Sequence, residues 1–183
     1  MSRIATPAAI EAAPAASRPL LEAVKKQLGV VPNMFRLIAN SPAALEGHLS
    51  LFGALSKGTL PAATRERIAL AVAEQNGCNY CLSAHTYLGK NLARLNDAEI
   101  AANRQGLSSD PKADAAVRFA VELVRTRGRV DEAWLGTLKT AGYDDAQVVE
   151  IVLHVALNTW TNLLNLVAGT DIDFPVVRAG AYA

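Results

Sequence analysis

Both cysteines of the chain fall within one short stretch, Glu74-Gln75-Asn76-Gly77-Cys78-Asn79-Tyr80-Cys81-Leu82-Ser83-Ala84-His85, together with one of its three histidines. On a helix, Cys78, Cys81 and His85 are three and four residues apart. Their azimuths lie within about 60° of one another, so the three side chains share a face. The break at Gly77 puts Cys78 at or near a helix N-terminus, where free backbone N–H groups and the helix dipole favour a thiolate. Helix-end electrostatics alone would therefore make Cys78 the more acidic thiol. His85, one turn beyond Cys81, is in reach to take its proton or to support it as an anion, the arrangement of an activated nucleophile beside a base.

Glu66 lies twelve residues before Cys78 on the preceding segment, among mostly apolar neighbours. If that helix packs on the next, Glu66 meets His85 and orients the imidazole as the carboxylate of a triad does. Burial would then raise its acid pKa and let it exchange protons near neutrality. Glu74 is the local rival, and pairing of Glu66 with Arg65 or Arg67 on a solvent face is the plain alternative. Two other uses of the cluster compete with thiol chemistry. Two cysteines, a histidine and a carboxylate could supply four zinc ligands, but one helix face surrounds a metal poorly. The cysteines could also be simple buried packing groups. The expectation is no metal and no cofactor, since no glycine-rich phosphate loop follows a strand.

The segments that must hold these groups read as helices throughout. Arg18 to Gly29 carries Leu20, Leu21, Val24 and Leu28 at helical spacing and closes on glycine. Pro32 opens a short helical turn, and Pro42 to Lys57 forms the next helix. Thr59 is a cap candidate for the segment that follows, with Pro61 in its first turn and Asn76-Gly77 as its stop. The motif helix runs from about Cys78 to Ala93. Asn96 to Gly106, Asp110 to Gly128, Asp131 to Gly142 and Asp144 to Gly169 complete the set, and no segment alternates as a strand would. The expected fold class is all-α, a compact multi-helix bundle, with residues 1–17 as an Ala/Pro-rich N-terminal arm and 18–183 as a single domain.

The last helix is long and apolar, but Glu150, His154, Asn158, Asn162 and Asn165 interrupt it. They fall within an arc of roughly 120°. Such a stripe is costly in lipid, so a membrane span is rejected in favour of a wet cavity or a subunit contact. His48 and His154 are expected to be structural, and Trp134 and Trp160 to be core or interface.

Composition excludes further classes. The chain is 51% hydrophobic and only 5% aromatic, which favours helix-on-helix packing. Its 18 basic and 17 acidic residues leave a net charge of +1, with no basic face for nucleic acid. The N-terminal stretch lacks the apolar run of a secretory signal. A close CxxC without export features suggests a reducing compartment, and the cytoplasm is the default.

The spacing Glu66-x11-Cys78-x2-Cys81-x3-His85 resembles the signature of the alkylhydroperoxidase D-like, peroxidase-related branch of the carboxymuconolactone decarboxylase family. The stretches PNMFRLIANSP, RERIALAVAEQNGCNYCLSAH and LNTWTNLLNLVAGTDIDFP resemble it too, so the similarity runs from about Arg18 to Pro175. It implies an all-helical homo-oligomer, a trimer or hexamer, acting as a haem-free thiol peroxidase on hydrogen peroxide or organic hydroperoxides. By that resemblance Cys81 attacks the peroxide and becomes a sulfenic acid, Cys78 resolves it as a disulfide, and His85 with Glu66 relays protons. A dithiol donor, a protein or a lipoyl-type group, then reduces the disulfide. The founding hydroperoxidase has a second histidine where this chain has Tyr80. Tyrosine is a poor base near neutral pH, which implies a shorter relay here. The alternatives are lactone decarboxylation, which needs no CxxC, a non-enzymatic CxxC redox sensor or scaffold, and general thiol–disulfide exchange.

Overall fold

The computed structural model of the chain describes residues 2–180. Among them are nine α-helices and no strand: α1 Arg18–Leu28, α2 Asn33–Ile38, α3 Pro42–Ser56, α4 Ala62–Gln75, α5 Asn79–Asn91, α6 Asp97–Arg104, α7 Pro111–Thr126, α8 Ala133–Thr140 and α9 Asp145–Ala168. The helix ends follow local chemistry. Gly29 takes a left-handed conformation to close α1, Ser41, Asn96 and Asp110 accept backbone N–H groups at the starts of α3, α6 and α7, and Asp144 with Gln147 forms a capping box on α9.

Helix α4 is the axis of the bundle and packs against α5, α6, α7 and α9. Seven consecutive residues, Ile68 to Glu74, are buried on it. Three of them are alanines, and the small side chains allow neighbours to approach on every side. Ile68 and Val72 join Phe119, Leu138, Tyr143 and Ile151 in one core between α4, α7, α8 and α9. Leu70 and Ala73 join Tyr80, Leu82, Leu95 and Ile100 in a second core that contains both cysteines. The only charged side chain in the seven, Glu74, is satisfied by Arg104 Nε at 2.8 Å and by the Gly180 amide at 2.7 Å.

The start of α4 differs from the expectation that Thr59 caps it. Pro61 occupies the N-cap with no side-chain bond. The Thr59 hydroxyl and the Thr59 and Leu60 amides instead donate to the Glu150 carboxylate of α9. Gly58 makes this approach possible, because a Cβ there would meet Glu150 Oε2 at 2.7 Å.

The N-terminal arm is docked on the body. The Ser17 hydroxyl donates to the Ala39 carbonyl at 2.7 Å, Ala13 is buried beside Leu21 and Leu45, and the Ser2 hydroxyl donates to the Ala168 carbonyl. Among the described residues, α9 alone is long and apolar enough to cross a membrane. Its sidedness is inverted relative to an ordinary surface helix. The stripe residues His154, Asn158, Asn162 and Asn165 are buried, while Val149, Val152, Leu153, Trp160, Leu163 and Val167 are exposed on the opposite side.

Candidate active site

The turn between α4 and α5 places the two thiols. Gly77, at φ +67°, is left-handed. The Cys78 amide donates to the Ala73 carbonyl and the Gly77 amide to the Glu74 carbonyl, which is a Schellman closure of α4. Cys78 is thereby the N-cap of α5, outside the helix proper, and its Sγ accepts the Cys81 amide at 3.3 Å, as a serine oxygen would. That bond brings the Sγ atoms of Cys78 and Cys81 to 2.7 Å, both as free thiols. The pair meets through a capping geometry rather than through the shared helix face expected from the spacing.

Expectation and structure part on which thiol is acidic. Cys81 is lowered to about 7. The Cys78 S–H hydrogen bond is the largest cause, burial opposes it, and the positive charge of His85 and the amides of Asn165 and Asn162 add to it. Cys78 is pushed up, first by donating its S–H hydrogen bond to Cys81 and then by burial. The backbone N–H groups at the cap favour a Cys78 thiolate, but the S–H hydrogen bond given to Cys81 and burial outweigh that helix-end effect. The Asn165 Nδ2 lies 3.3 Å from Cys81 Sγ.

His85 Nδ1 and Glu66 Oε2 are 2.9 Å apart across α4 and α5. With Glu66 accepting, the Nδ1–H is fixed and the other ring nitrogen is left for chemistry. Burial alone would push the imidazolium down. The charge and hydrogen bond of Glu66, the charge of Cys81 and the side chain of Asn158 outweigh it and hold His85 above its ordinary value. An anionic Cys81 and a cationic His85 therefore stabilise each other. Glu66 is less enclosed than the sequence suggests, with 22% of its side chain exposed, and His85 is similar at 21%. The cysteines, by contrast, are 1% and 3% exposed. The relay pair forms the solvent-facing side of a dry thiol site.

The other polar groups around the site have partners of their own. Glu74 is held by Arg104 and Gly180, away from His85. Arg67 pairs with Glu99 at 2.7 Å, and Arg65 donates to the Leu55 carbonyl, so neither takes Glu66. Tyr80 is buried, its hydroxyl receives the Met34 amide at 3.1 Å, and Phe174 packs edge-on against its ring. Burial and the nearby Asp173 push its phenol up, so it stays protonated. Among the described residues no group of three or more His, Cys, Asp or Glu side chains is placed to hold a metal ion. His48 is enclosed by Phe35, Phe52 and Trp160 and is lowered to about 4 by burial. His154 is also lowered to about 4, by burial and then by Arg65. A groove of about 750 Å³ between α7 and α8, beside Trp134, contains none of the thiol-site residues.

The carboxymuconolactone decarboxylase family profile matches residues 42–122, the stretch from α3 through α7 that carries Glu66, Cys78, Cys81 and His85. A peroxidase-related protein from Ralstonia eutropha JMP134, described as an alkylhydroperoxidase AhpD core, is similar over 94% of this chain and 92% of its own, with TM-score 0.83 and 26% identity. Residues 42–122 thus match the carboxymuconolactone decarboxylase family, and the chain as a whole is similar to a structure described as an alkylhydroperoxidase AhpD core. A peroxidase-related protein from Silicibacter sp. TM1040 has the same fold, with TM-score 0.76, 23% identity and coverage of 86% and 85%. So does the debrominase Bmp8, solved with 2,3,4-tribromopyrrole, with TM-score 0.76, 20% identity and coverage of 92% and 90%. A search of curated proteins finds no match. The expectation of an all-α, alkylhydroperoxidase D-like bundle holds. The α9 residues that touch the site, Asn158, Asn162 and Asn165, lie outside the matched family region. Their polar stripe was visible in the sequence, but its link to Cys81 depends on how α9 packs against α5.

Proposed function

We propose that this protein is a thiol-dependent peroxidase that reduces hydrogen peroxide or organic hydroperoxides through Cys81 and Cys78, with His85 and Glu66 as the proton relay. The observation that carries this is the Cys78 Sγ to Cys81 Sγ approach of 2.7 Å beneath the His85–Glu66 pair. The Cys81 thiolate attacks the terminal peroxide oxygen. A sulfur–oxygen bond forms, the oxygen–oxygen bond breaks, and the leaving alkoxide or hydroxide takes a proton from His85. The product is a sulfenic acid on Cys81. Neutral His85 then accepts the Cys78 proton. The Cys78 thiolate attacks the Cys81 sulfur to close the disulfide as the sulfur–oxygen bond breaks, and the departing hydroxide takes that proton from His85 and leaves as water. A dithiol donor reduces that disulfide by exchange through a mixed disulfide.

Glu66 keeps the His85 Nδ1–H oriented and stabilises the imidazolium whenever the ring carries the proton. The exposed apolar face of α9 suits a second copy of this chain, and we assign the protein to a homo-oligomer, trimeric or hexameric, in the cytoplasm. Trapping of peroxide-treated Cys78→Ser protein with a sulfenic-acid probe tests the chemistry. Label on Cys81 is expected, with dithiol-driven peroxide consumption by the native protein. Absence of label on Cys81, or a Cys81→Ser protein that consumes peroxide at the native rate, refutes it.

A further inference from the structure

Two buried amide atoms beside Cys81 have no hydrogen-bond partner. Asn165 donates from Nδ2 both to Cys81 Sγ at 3.3 Å and to the Thr161 carbonyl at 2.9 Å. The carbonyl contact fixes the orientation of the amide, because the flipped form would set oxygen against oxygen. Asn165 Oδ1, on the same planar amide as the nitrogen that touches sulfur, is then buried and unpaired in a residue only 3% exposed. Nearly one turn earlier, Asn162 is completely enclosed. Its Oδ1 accepts the Asn76 amide at 2.9 Å. Its Nδ2 faces Cys81 but closes no hydrogen bond. Both orphan atoms thus belong to amides that face the same sulfur. Buried polar atoms are nearly always paired, and those that are not call for a functional explanation.

We propose that Asn162 and Asn165 form an oxygen-binding subsite of Cys81. The Asn165 Oδ1 accepts the O–H of the hydroperoxide, and the Asn162 Nδ2 donates to a lone pair of the same oxygen. This rests on the peroxidase assignment and gives it a substrate determinant. The held oxygen is the one transferred: it keeps its proton on Asn165 while its bond to sulfur forms and its bond to the leaving oxygen breaks. The same pair then holds the Cys81 sulfenic acid until Cys78 displaces it. A substrate that presents carbon or halogen to the sulfur brings no hydroxyl, so the Asn165 acceptor stays unpaired. The subsite therefore selects the –OOH group, and a site built to bind a hydroxyl discriminates strongly against analogues that lack one.

The test compares two electrophiles on the reduced full-length protein, each as a rate constant at a pH well above the Cys81 midpoint, where ionisation no longer limits either. Hydrogen peroxide brings the hydroxyl, and iodoacetamide reacts through carbon. In Asn162→Leu and Asn165→Leu, peroxide oxidation is expected to fall about tenfold or more, the value of one net hydrogen bond. Alkylation is expected to change less than about twofold on the same scale. Asn162→Ala and Asn165→Ser read the same ratio if a leucine variant does not fold by circular dichroism. Parallel losses with both reagents, or no loss with either, overturn the subsite while leaving the peroxidase assignment in place. A native protein that iodoacetamide alkylates but no hydroperoxide oxidises removes the assignment and the subsite together.

Discussion

Replacing Cys78 by alanine removes the largest cause of the low Cys81 value while leaving the imidazole and the asparagines in place. The fall of Cys81 from 9.0 to about 7 corresponds to a preference for the thiolate on the order of 3 kcal/mol. Cys81 is only 3% exposed, so solvent does not screen that preference. With the Cys78 S–H gone, burial is opposed only by His85, Asn165 and Asn162, and the midpoint is expected to return towards 9. Near pH 7.4 the thiolate fraction then falls from roughly 70% to a few per cent, on the order of 30-fold. Cys78→Ser keeps an O–H donor at the same N-cap and is expected to titrate much closer to the native midpoint. Ultraviolet thiolate absorbance followed against pH, with single-turnover alkylation rates as a second readout, measures both variants. The sign is fixed by the chemistry: reactivity rises with pH through the midpoint because the thiolate appears by losing a proton. Equal midpoints for native, alanine and serine proteins would refute the donor role of Cys78.

Glu66→Gln is expected to lower the His85 titration, because the charge of Glu66 and its hydrogen bond to Nδ1 are what hold the imidazolium up against burial. It should also raise the Cys81 midpoint slightly, and nuclear magnetic resonance of the imidazole checks the direction. Tyr80→Phe is expected to leave the rate of peroxide reduction unchanged and to cost about 1 kcal/mol in denaturant titrations, because the hydroxyl serves the Met34 amide rather than the thiols. Gly58→Ala should destabilise the fold by about 1 kcal/mol, since the new Cβ displaces the Glu150 carboxylate from the Thr59 and Leu60 amides. Glu99 is held below the usual carboxylate value: burial opposes this, but hydrogen bonds from Ser108, Ser109 and Asn103 prevail. A depressed carboxylate contributes stability above its unfolded value, about 4.5, and loses it as pH falls towards the native value. Denaturation at a series of acidic pH values should therefore show a steeper loss for the native protein than for Glu99→Gln.

Much of the fold was legible because helix punctuation is local. Gly29, Pro32, Pro42, Asn96, Pro111 and Gly169 mark ends by their own backbone preferences, and each end falls within a residue or two of its mark. Thr59 was misjudged because its hydroxyl serves Glu150, which lies ninety-one residues further along the chain. The Cys78, Cys81 and His85 spacing located the site, and Glu66 was added to it by assuming that consecutive helices pack. The acidity order of the thiols was not legible. Helix-end electrostatics point to Cys78, whereas the S–H hydrogen bond it donates to Cys81 and the donors from α9 reverse the order. Those donors are some eighty residues away in sequence. The stripe on α9 announced buried polarity, but only the packing of α9 on α5 says which atom it serves.

A count of free thiols before and after one equivalent of hydroperoxide, under denaturing conditions and without a reductant, tests the thiol chemistry most directly. Two thiols are expected before the addition and none after it, with Cys78 and Cys81 recovered in one disulfide-linked peptide. Two free thiols remaining after the peroxide has been added would contradict it.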